Sequence, residues 1–326
     1  MKIAFYYRKP SSENYSIENV FDTVQSALNE RFIFDKIYAK TNFDLQLTFS
    51  KKSIADVHHI TGAVHYLSFG LPGLNSVITI HDLGHLLNTM SGWRRFAYKS
   101  IYWDVPLRKT RYITTISDFT RSQLIARFPF VKNKVMTIAN PVSPCFQRSA
   151  YPDFDKPVVM QIGGGRNKNV ANLVEAIAVS KLDVKLLLVR SYDHDLAQVL
   201  SKKGIEFEFR SGLTQAQLVD TYRESNVLFF ASTYEGFGLP ILEAMACGRP
   251  VVTSNFGSMC DVAGGAAKLV APENPLEIGN AIKSILESES LRCELIEKGL
   301  ERIKEFSPNT IARQYEELYQ RICVQS

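Results

Sequence analysis

Two glutamates separated by seven residues, Glu235 and Glu243, enclose the segment Gly236–Pro240, which reads Gly-Phe-Gly-Leu-Pro. An apolar run precedes the loop, proline stands where a helix would begin, and Gly248 stands where it would end. A helix that opens on a glycine loop presents unpaired backbone N–H groups and favours an anion such as a diphosphate. The flanking carboxylates can accept hydrogen bonds from pairs of neighbouring hydroxyl groups. The segment therefore predicts a nucleotide sugar as ligand, and the alternative is an ordinary connection with two solvated glutamates.

A second glycine turn, Gly163–Asn169, follows the apolar run Val158–Ile162. The dinucleotide fingerprint G-x-G-x-x-G would need glycine at position 168, and a Walker loop would need Gly-Lys-Ser or Gly-Lys-Thr. The turn has neither, and it carries two cations instead, Arg166 and Lys168. They follow a strand, at the edge where open α/β sheets bind ligands. Such cations would stabilise negative charge on a departing phosphate, so no metal ion or other cofactor is required; the alternative is a turn with solvated basic residues.

In the first half, His81 and His85 have the spacing of the zinc motif His-Glu-x-x-His. That motif needs a continuous helix and a glutamate, whereas Asp82 supplies the acid here and Gly84 interrupts the helix. Zinc hydrolysis is therefore disfavoured. We expect His81 to be the active-site candidate of this half, Asp82 to hold the loop, and His85 to be structural.

His58, His59 and His65 form a second group of histidines. Neighbouring residues of a strand point to opposite faces, so His58 and His59 are not expected to ligate one metal ion. The segment is interpreted as a strand end with at most one functional histidine.

Short apolar runs alternate with helical patterns along the whole chain, which predicts an α/β fold with parallel sheets. The predicted strands are Lys2–Tyr7, Phe32–Tyr38, Ala55–Ile60, Ser76–Ile80, Tyr112–Thr115, Val135–Ile138, Pro157–Ile162, Val184–Val189, Val227–Ala231 and Pro250–Ser254. The predicted helices are Ile17–Asn29, Trp93–Tyr102, Phe119–Phe128, Val170–Ser180, Leu213–Ser225, Pro240–Cys247, Pro275–Glu287, Ser290–Phe306 and Asn309–Cys323. A proline-rich segment that starts at Asn140 interrupts both the strand and the helix periodicity of the apolar residues, and it predicts a linker between two domains.

The 326 residues are enough for two domains of ordinary size, and 45% hydrophobic with 22% charged residues is typical of a globular enzyme. The start reaches Arg8 and Lys9 too soon for a secretory signal, and five scattered cysteines predict reduced thiols in a cytoplasmic protein. Residues 1–150 carry 19 Lys and Arg against 10 Asp and Glu, whereas residues 151–326 carry 19 against 23. The first half is thus expected to face something anionic.

The segment Trp93–Arg111 mixes cations with aromatic residues and suits an anionic membrane surface. It would also suit single-stranded nucleic acid, which we consider the less favoured partner, and the alternative is an ordinary amphipathic helix.

Taken together, these motifs resemble those of family four retaining glycosyltransferases of GT-B architecture (glycosyl transferases group 1). The resemblance rests on Glu-x7-Glu with the following Glu-Ala-Met-Ala-Cys-Gly-Arg-Pro-Val-Val, on the turn that ends Lys168-Asn169, and on Thr79-Ile-His-Asp-Leu83. It implies two Rossmann-like, doubly wound domains facing a central cleft, with a C-terminal helix crossing back. Residues 1–148 would bind the acceptor, 149–308 the nucleotide sugar, and 309–326 would pack on the first domain.

The resemblance also implies roles for single residues. His81 would approach the donor sugar, Arg166 and Lys168 would neutralise the diphosphate, Glu235 would bind the sugar hydroxyls, and Glu243 the ribose hydroxyls. Backbone contacts to sugar and phosphate would come from Gly164, Gly165, Gly236, Phe237, Gly238 and Leu239. The family usually has a glycine pair after the first strand; Arg8–Glu18 has none, and Arg8 is the alternative phosphate contact there.

The predicted activity is that of a retaining glycosyltransferase of the hexosyltransferase type. It would move a sugar from a nucleotide-diphosphate sugar to a hydroxyl of a glycan or lipid-linked acceptor, in cell-surface polysaccharide or glycolipid synthesis. The expected location is the cytoplasm, with peripheral attachment to the inner face of the membrane. Two alternatives stay open: a nucleotide-sugar epimerase or phosphorylase of the same fold, and a non-catalytic binder of membrane or nucleic acid.

Overall fold

The computed structural model describes residues 1–8, 16–28, 31–40, 44, 54–84, 86, 96, 98–153 and 155–324. The chain forms two compact units, one of Met1–Pro141 with Pro308–Ser326 and the other of Val142–Ser307. Each unit contains one parallel sheet with helices between its strands. The chain is therefore an α/β protein with two doubly wound sheets, as the alternation of strands and helices predicts.

The bounds of the elements follow in chain order. The strands are β1 Lys2–Tyr7, β2 Ile33–Tyr38, β3 Val57–Ile60, β4 Ser76–Ile80, β5 Tyr112–Thr115, β6 Val135–Thr137, β7 Val158–Ile162, β8 Lys185–Val189, β9 Glu206–Arg210, β10 Val227–Phe230, β11 Val251–Ser254 and β12 Lys268–Val270. The helices are α1 Ser16–Ala27, α2 Val105–Lys109, α3 Asp118–Arg127, α4 Val170–Val179, α5 His194–Lys202, α6 Gln215–Arg223, α7 Leu239–Ala246, α8 Gly257–Ala263, α9 Pro275–Glu287, α10 Glu289–Arg302 and α11 Pro308–Val324. A π-helical segment, Ser100–Asp104, leads directly into α2.

The strand order of each sheet reverses once. The described strands of the first unit have the order β2-β1-β3-β4-β5-β6, and those of the second have the order β12-β11-β10-β7-β8-β9. The chain runs outwards from β7 to β9 and then returns to place β10 beside β7. Loops that leave the carboxyl ends of such neighbouring strands diverge and open a crevice. The second sheet therefore has its switch point between β7 and β10, and the first has its own between β1 and β3.

Helix α11 packs on the first unit. The rings of Tyr315 and Tyr319 contact the imidazole of His59, and the Tyr315 ring lies 5.8 Å from that of Phe21. His59 is fully buried, with Nδ1 2.8 Å from the Tyr319 hydroxyl and Nε2 2.7 Å from the Thr79 hydroxyl. Burial lowers the pKa of His59 to about 3, so it stays neutral. His59 is thus a core residue that fixes the last helix.

The other two histidines of this group are also engaged in the first unit. His58 Nδ1 lies 3.0 Å from the Tyr6 hydroxyl, so His58 and His59 have different partners, as the alternation of the strand predicts. His65 Nδ1 donates to the carbonyl of Tyr102, and burial lowers the pKa of His65 to about 4. All three histidines are therefore structural.

The second unit begins at Val142, whereas the sequence analysis placed the domain boundary after residue 148. The backbone N–H of Val142 donates to the carbonyl of Phe306, and the Phe146 ring packs edge-on against Tyr222. The proline-rich segment is thus anchored in the second unit by buried apolar side chains, which proline content alone does not indicate.

Four elements of the second unit were not predicted from the sequence: α5, β9, α8 and β12. Helix α5 has a sequence signal, because the Asp193 side chain caps it by accepting from Leu196 N–H. Strand β9 reads Glu-Phe-Glu-Phe-Arg, the strict alternation of a partly exposed edge strand. Helix α8 and β12 have seven and three residues, too few for a periodic pattern.

None of the helices with described bounds has the length and the apolar content that crossing a bilayer would need. The predicted helix Trp93–Tyr102 lies partly outside the described residues, because residues 93–95 and 97 are among the undescribed ones. Most of the glycine-free segment Arg8–Glu18 also lies outside them. Arg8 itself is described and lies 4.0 Å from the Glu18 carboxylate.

Candidate active site

Two loops of the second unit meet at its switch point. The glycine loop, Gly163–Asn169, leaves the carboxyl end of β7, and the signature loop, Ala231–Gly238, leaves that of β10. Because β7 and β10 are parallel and adjacent, both loops emerge at one edge of the sheet. This is the crevice where open α/β sheets bind ligands.

Two asparagines join the loops. The Asn167 side chain donates to the carbonyl of Tyr234 at 3.0 Å, and the Asn167 carbonyl accepts from Thr233 N–H at 2.8 Å. The Asn169 side chain donates to the carbonyl of Ala231 at 3.0 Å. Asn169 has a φ of 60°, a left-handed conformation that asparagine tolerates better than most residues. The hydrogen bonds of these asparagines were not predicted, although two asparagines in a glycine turn are a signal of backbone-directed hydrogen bonds.

Lys168 and Glu235 form an ion pair where the loops meet. Lys168 Nζ donates to Glu235 Oε1 at 2.7 Å, and Asn167 Nδ2 donates to the same oxygen at 3.1 Å. The side chains are 21% and 16% exposed, so the pair is partly dehydrated yet accessible to a ligand. Gly163 makes room for the lysine: its φ is 99°, and a Cβ there would lie 2.7 Å from Lys168 Cε. The structure thus brings together two of the predicted site residues.

The other members of the glycine loop are more exposed. Arg166 lies in a short 3-10 turn, and within the described residues it makes no ion pair with Glu235 or another carboxylate. Gly164 and Gly165 are exposed beside it. A cation that the sequence analysis missed, Arg190, directly follows β8 and packs beside Gly164. Its guanidinium pairs with Asp193 at 2.9 Å, so a third basic group, after Lys168 and Arg166, lies at this edge of the sheet.

Helix α7 begins directly after the signature loop, without a side-chain cap. Its N-cap, Gly238, has a φ of 120°, and a Cβ there would lie 3.0 Å from Ile241 Cδ1, so glycine is required. Phe237 is buried, and its ring packs edge-on against Phe306. The Phe237 side chain is therefore structural, and residue 237 can offer a ligand only its backbone groups.

Glu243 lies one turn into α7, with a side chain that is mostly but not fully buried. The Tyr222 hydroxyl donates to Glu243 Oε2 at 2.6 Å. Burial raises the pKa of Glu243 to about 7, and the hydrogen bond from Tyr222 opposes this shift. Tyr222, which the sequence analysis missed, thus fixes one carboxylate oxygen. The other oxygen makes no hydrogen bond within the described part of the chain and can accept one from a ligand.

His81 lies in the first unit, directly after β4. Its Nε2 donates to the carbonyl of Thr61 at 2.7 Å, so this nitrogen carries the proton, because a carbonyl only accepts. Burial lowers the pKa of His81, and the hydrogen bond to Thr61 and the charge of Asp82 oppose part of this shift. Neutral His81 therefore presents Nδ1 as an acceptor. The Asp82 carboxylate accepts from Gly84 N–H at 2.7 Å and holds the loop, as predicted, while His85 lies outside the described residues.

The chain is similar in sequence to known mannosyltransferases. O-antigen chain mannosyltransferase B of Escherichia coli is 28% identical over 233 residues, which cover 65% of this chain and 61% of that protein. MMP alpha-(1->4)-mannosyltransferase of Mycolicibacterium hassiacum is 31% identical over 164 residues, which cover 47% of this chain and 40% of that protein. The chain therefore spans less than two thirds of the length of these relatives.

Solved structures share the fold. The crystal structure of HepE from Anabaena in complex with UDP-glucose has a TM-score of 0.77 and 18% identity, and the match covers 98% of this chain and 100% of that one. The two doubly wound sheets thus have the GT-B architecture. Residues 148–302 match the family model described as "Glycosyl transferases group 1". These matched residues lie within the second unit, which is therefore similar to members of the glycosyl transferases group 1 family.

Proposed function

We propose that the chain is a retaining glycosyltransferase that moves a sugar from a nucleotide-diphosphate sugar to an acceptor hydroxyl. The observation that carries the proposal is the Lys168–Glu235 pair at the switch point, in the loops that precede the uncapped start of α7. Glu243 lies one helical turn after that start. A cation and the backbone N–H groups at the start of a helix suit the diphosphate, and two carboxylates suit the hydroxyls of sugar and ribose. Arg166 is exposed next to this pair and would reach the outer phosphate.

The reaction would need no protein base. The bond between the anomeric carbon and the phosphate oxygen breaks, the acceptor oxygen bonds to the same face of that carbon, and its proton passes to the departing phosphate. Negative charge grows on the phosphate during this step, and Lys168 is positioned to stabilise it. His81 Nδ1 is proposed to accept a hydrogen bond from a hydroxyl of the transferred sugar.

The relatives support the substrate class. The E. coli relative is named an O-antigen chain mannosyltransferase, and HepE was crystallised with UDP-glucose. We therefore propose cell-surface polysaccharide or glycolipid synthesis in the cytoplasm, with a glycan or lipid-linked acceptor. Attachment to an anionic membrane through Trp93–Arg111 is part of the proposal.

A thermal-shift screen of UDP, GDP and ADP sugars tests the donor site. A ligand at about 100 times its Kd stabilises the folded protein by about 2.7 kcal/mol, so a cognate donor should raise the melting temperature clearly. The Glu243→Ala variant should lose this shift. If no sugar nucleotide stabilises the protein, the proposed donor site is wrong; consumption of the donor with only water or phosphate present would favour an epimerase or phosphorylase.

Donor binding should weaken by up to about tenfold as the pH falls from 8 to 6. With its pKa raised from 4.5 to about 7, Glu243 changes in this interval from a carboxylate to a carboxyl group, which accepts hydrogen bonds from ribose hydroxyls less well. Isothermal titration calorimetry at pH 8, 7 and 6 measures the effect. The Glu243→Gln variant should bind weakly at every pH, and a wild-type pH dependence in that variant would assign the titration to another group.

A further inference from the structure

A charged groove lies in the first unit. Its volume is about 750 Å³, and it is formed by chain segments that are distant in sequence. Its basic side chains come from Arg108 and Lys109 at the end of α2, Arg111 before β5, Arg121 of α3, Lys132 and Lys134 before β6, and Arg321 of α11. Within the described residues, no aspartate or glutamate lines this basic groove.

Two of these cations hold the groove together. Lys134 Nζ donates to the carbonyl of Thr110 at 2.8 Å and also to that of Leu107, at the end of α2. Lys109 Nζ donates to the carbonyl of Phe69 at 2.6 Å. Burial lowers the pKa of Lys134, in keeping with an ammonium enclosed by protein. Both lysines therefore shape the walls of the groove.

Four other cations lack a carboxylate partner within the described residues: Arg108, Arg121, Lys132 and Arg321. The Arg108 guanidinium lies on the Phe130 ring, 4.0 Å from its centroid, which leaves its N–H edges for another partner. Arg121 Nε is buried and has no hydrogen-bond partner among the described residues. A buried donor without a partner is costly, so the groove is electrostatically incomplete.

A groove of the second unit shows the opposite arrangement. This groove of about 360 Å³ is lined by three cations that pair with its own acids. Lys185 lies 2.6 Å from Glu208, Arg210 lies 2.7 Å from Glu224, and Lys156 contacts Glu206 at 3.3 Å. That groove is internally neutralised, whereas no carboxylate of the described residues lines the basic groove.

We propose that the basic groove is a separate binding site for a phosphate-bearing ligand. Guanidinium groups bind phosphate through paired hydrogen bonds, and the volume falls in the range of small-molecule sites. The groove lies at the amino ends of β5 and β6, whereas His81 follows the carboxyl end of β4. The groove and His81 are therefore at opposite ends of the strands of the first sheet. The source of the phosphate is either the headgroup of an anionic phospholipid or a soluble phosphate compound. The inference does not depend on the proposed sugar transfer; its lipid alternative deepens the proposed membrane attachment, because Arg108, Lys109 and Arg111 end the segment Trp93–Arg111.

The test is the double variant Lys132→Glu, Arg321→Glu, because both side chains are exposed and make no hydrogen bond in the described structure. Flotation with phosphatidylcholine vesicles containing 30% phosphatidylglycerol probes the lipid source, and calorimetric titration with pyrophosphate probes the soluble source. We expect wild-type protein to bind one of these probes and the variant to bind it at least about tenfold more weakly. The matched control, Lys202→Glu with Lys283→Glu, makes the same charge change in the second unit and should bind as the wild type does.

The two binding assays distinguish a lipid headgroup from a soluble phosphate compound. Binding to the anionic vesicles alone assigns a lipid headgroup, and binding to pyrophosphate alone assigns a soluble phosphate. The proposal is overturned if neither probe binds, if the groove variant binds as the wild type does, or if the control loses as much binding. Binding of a single-stranded oligonucleotide in place of both probes would also overturn it. Melting curves of all variants verify that each is folded.

Discussion

Replacement of Lys168 by alanine is expected to lower turnover roughly 10²–10³-fold and to leave the protein folded. Lys168 is the cation that the structure places closest to Glu235, with its stem across Gly163 and its ammonium 4.7 Å from the centroid of the Phe230 ring. A preorganised cation of this kind stabilises charge that develops only as the phosphate departs. Its loss should therefore lower kcat rather than raise KM alone.

Steady-state kinetics with the donor found in the thermal-shift screen, together with melting curves, measure this effect. Lys202→Ala is the matched control, since Lys202 is an exposed lysine of α5 in the same unit. Lys168→Arg keeps the charge but changes its geometry, and it should recover only part of the rate. Wild-type turnover in Lys168→Ala would refute the role assigned to Lys168.

Replacement of Arg249 by alanine should destabilise the second unit by about 3–5 kcal/mol. Arg249 is 1% exposed, and its guanidinium donates to the carbonyls of Tyr222, Arg223 and Ala150 and to the Ser149 hydroxyl. Alanine would leave several buried acceptors without a donor and would also create a cavity. The Tyr222 hydroxyl donates a hydrogen bond to Glu243, so binding of the nucleotide sugar should weaken as well.

Urea unfolding, monitored by far-UV circular dichroism, measures the loss of stability. Arg223→Ala is the control, because this neighbouring arginine is exposed and makes only a surface ion pair with Asp220. It should change the free energy of unfolding by less than about 0.5 kcal/mol. A loss below about 1 kcal/mol in Arg249→Ala would mean that water replaces the guanidinium at little cost.

The alternation of apolar runs and helical patterns was enough to predict the two parallel sheets. Strands such as β8, Lys-Leu-Leu-Leu-Val, are buried on both faces and are therefore nearly continuous apolar runs. The helix start between Thr214 and Gln217 was also predictable, and the structure confirms the capping box. These features depend on neighbouring residues, and the sequence displays them directly.

The contacts of the candidate site depend on strand order, which the sequence does not display. Lys168 and Glu235 are 67 residues apart, and they meet because β10 returns beside β7. Tyr222 reaches Glu243 because α6 packs near α7, and no local pattern encodes that packing. Of the basic groove, only the cations within Trp93–Arg111 could be singled out from the sequence, since Arg321 is about 200 residues away from them.

The position of α11 has a consequence for how the polypeptide matures on the ribosome. Residues 142–307 are contiguous, so the second unit can complete its core once Ser307 has been synthesised. The first unit, although synthesised earlier, still lacks the helix whose Tyr319 meets buried His59. Completion of the two units should therefore run opposite to the usual N-terminal-first order. A nonsense mutation at Pro308 would injure the half of the molecule that was synthesised first.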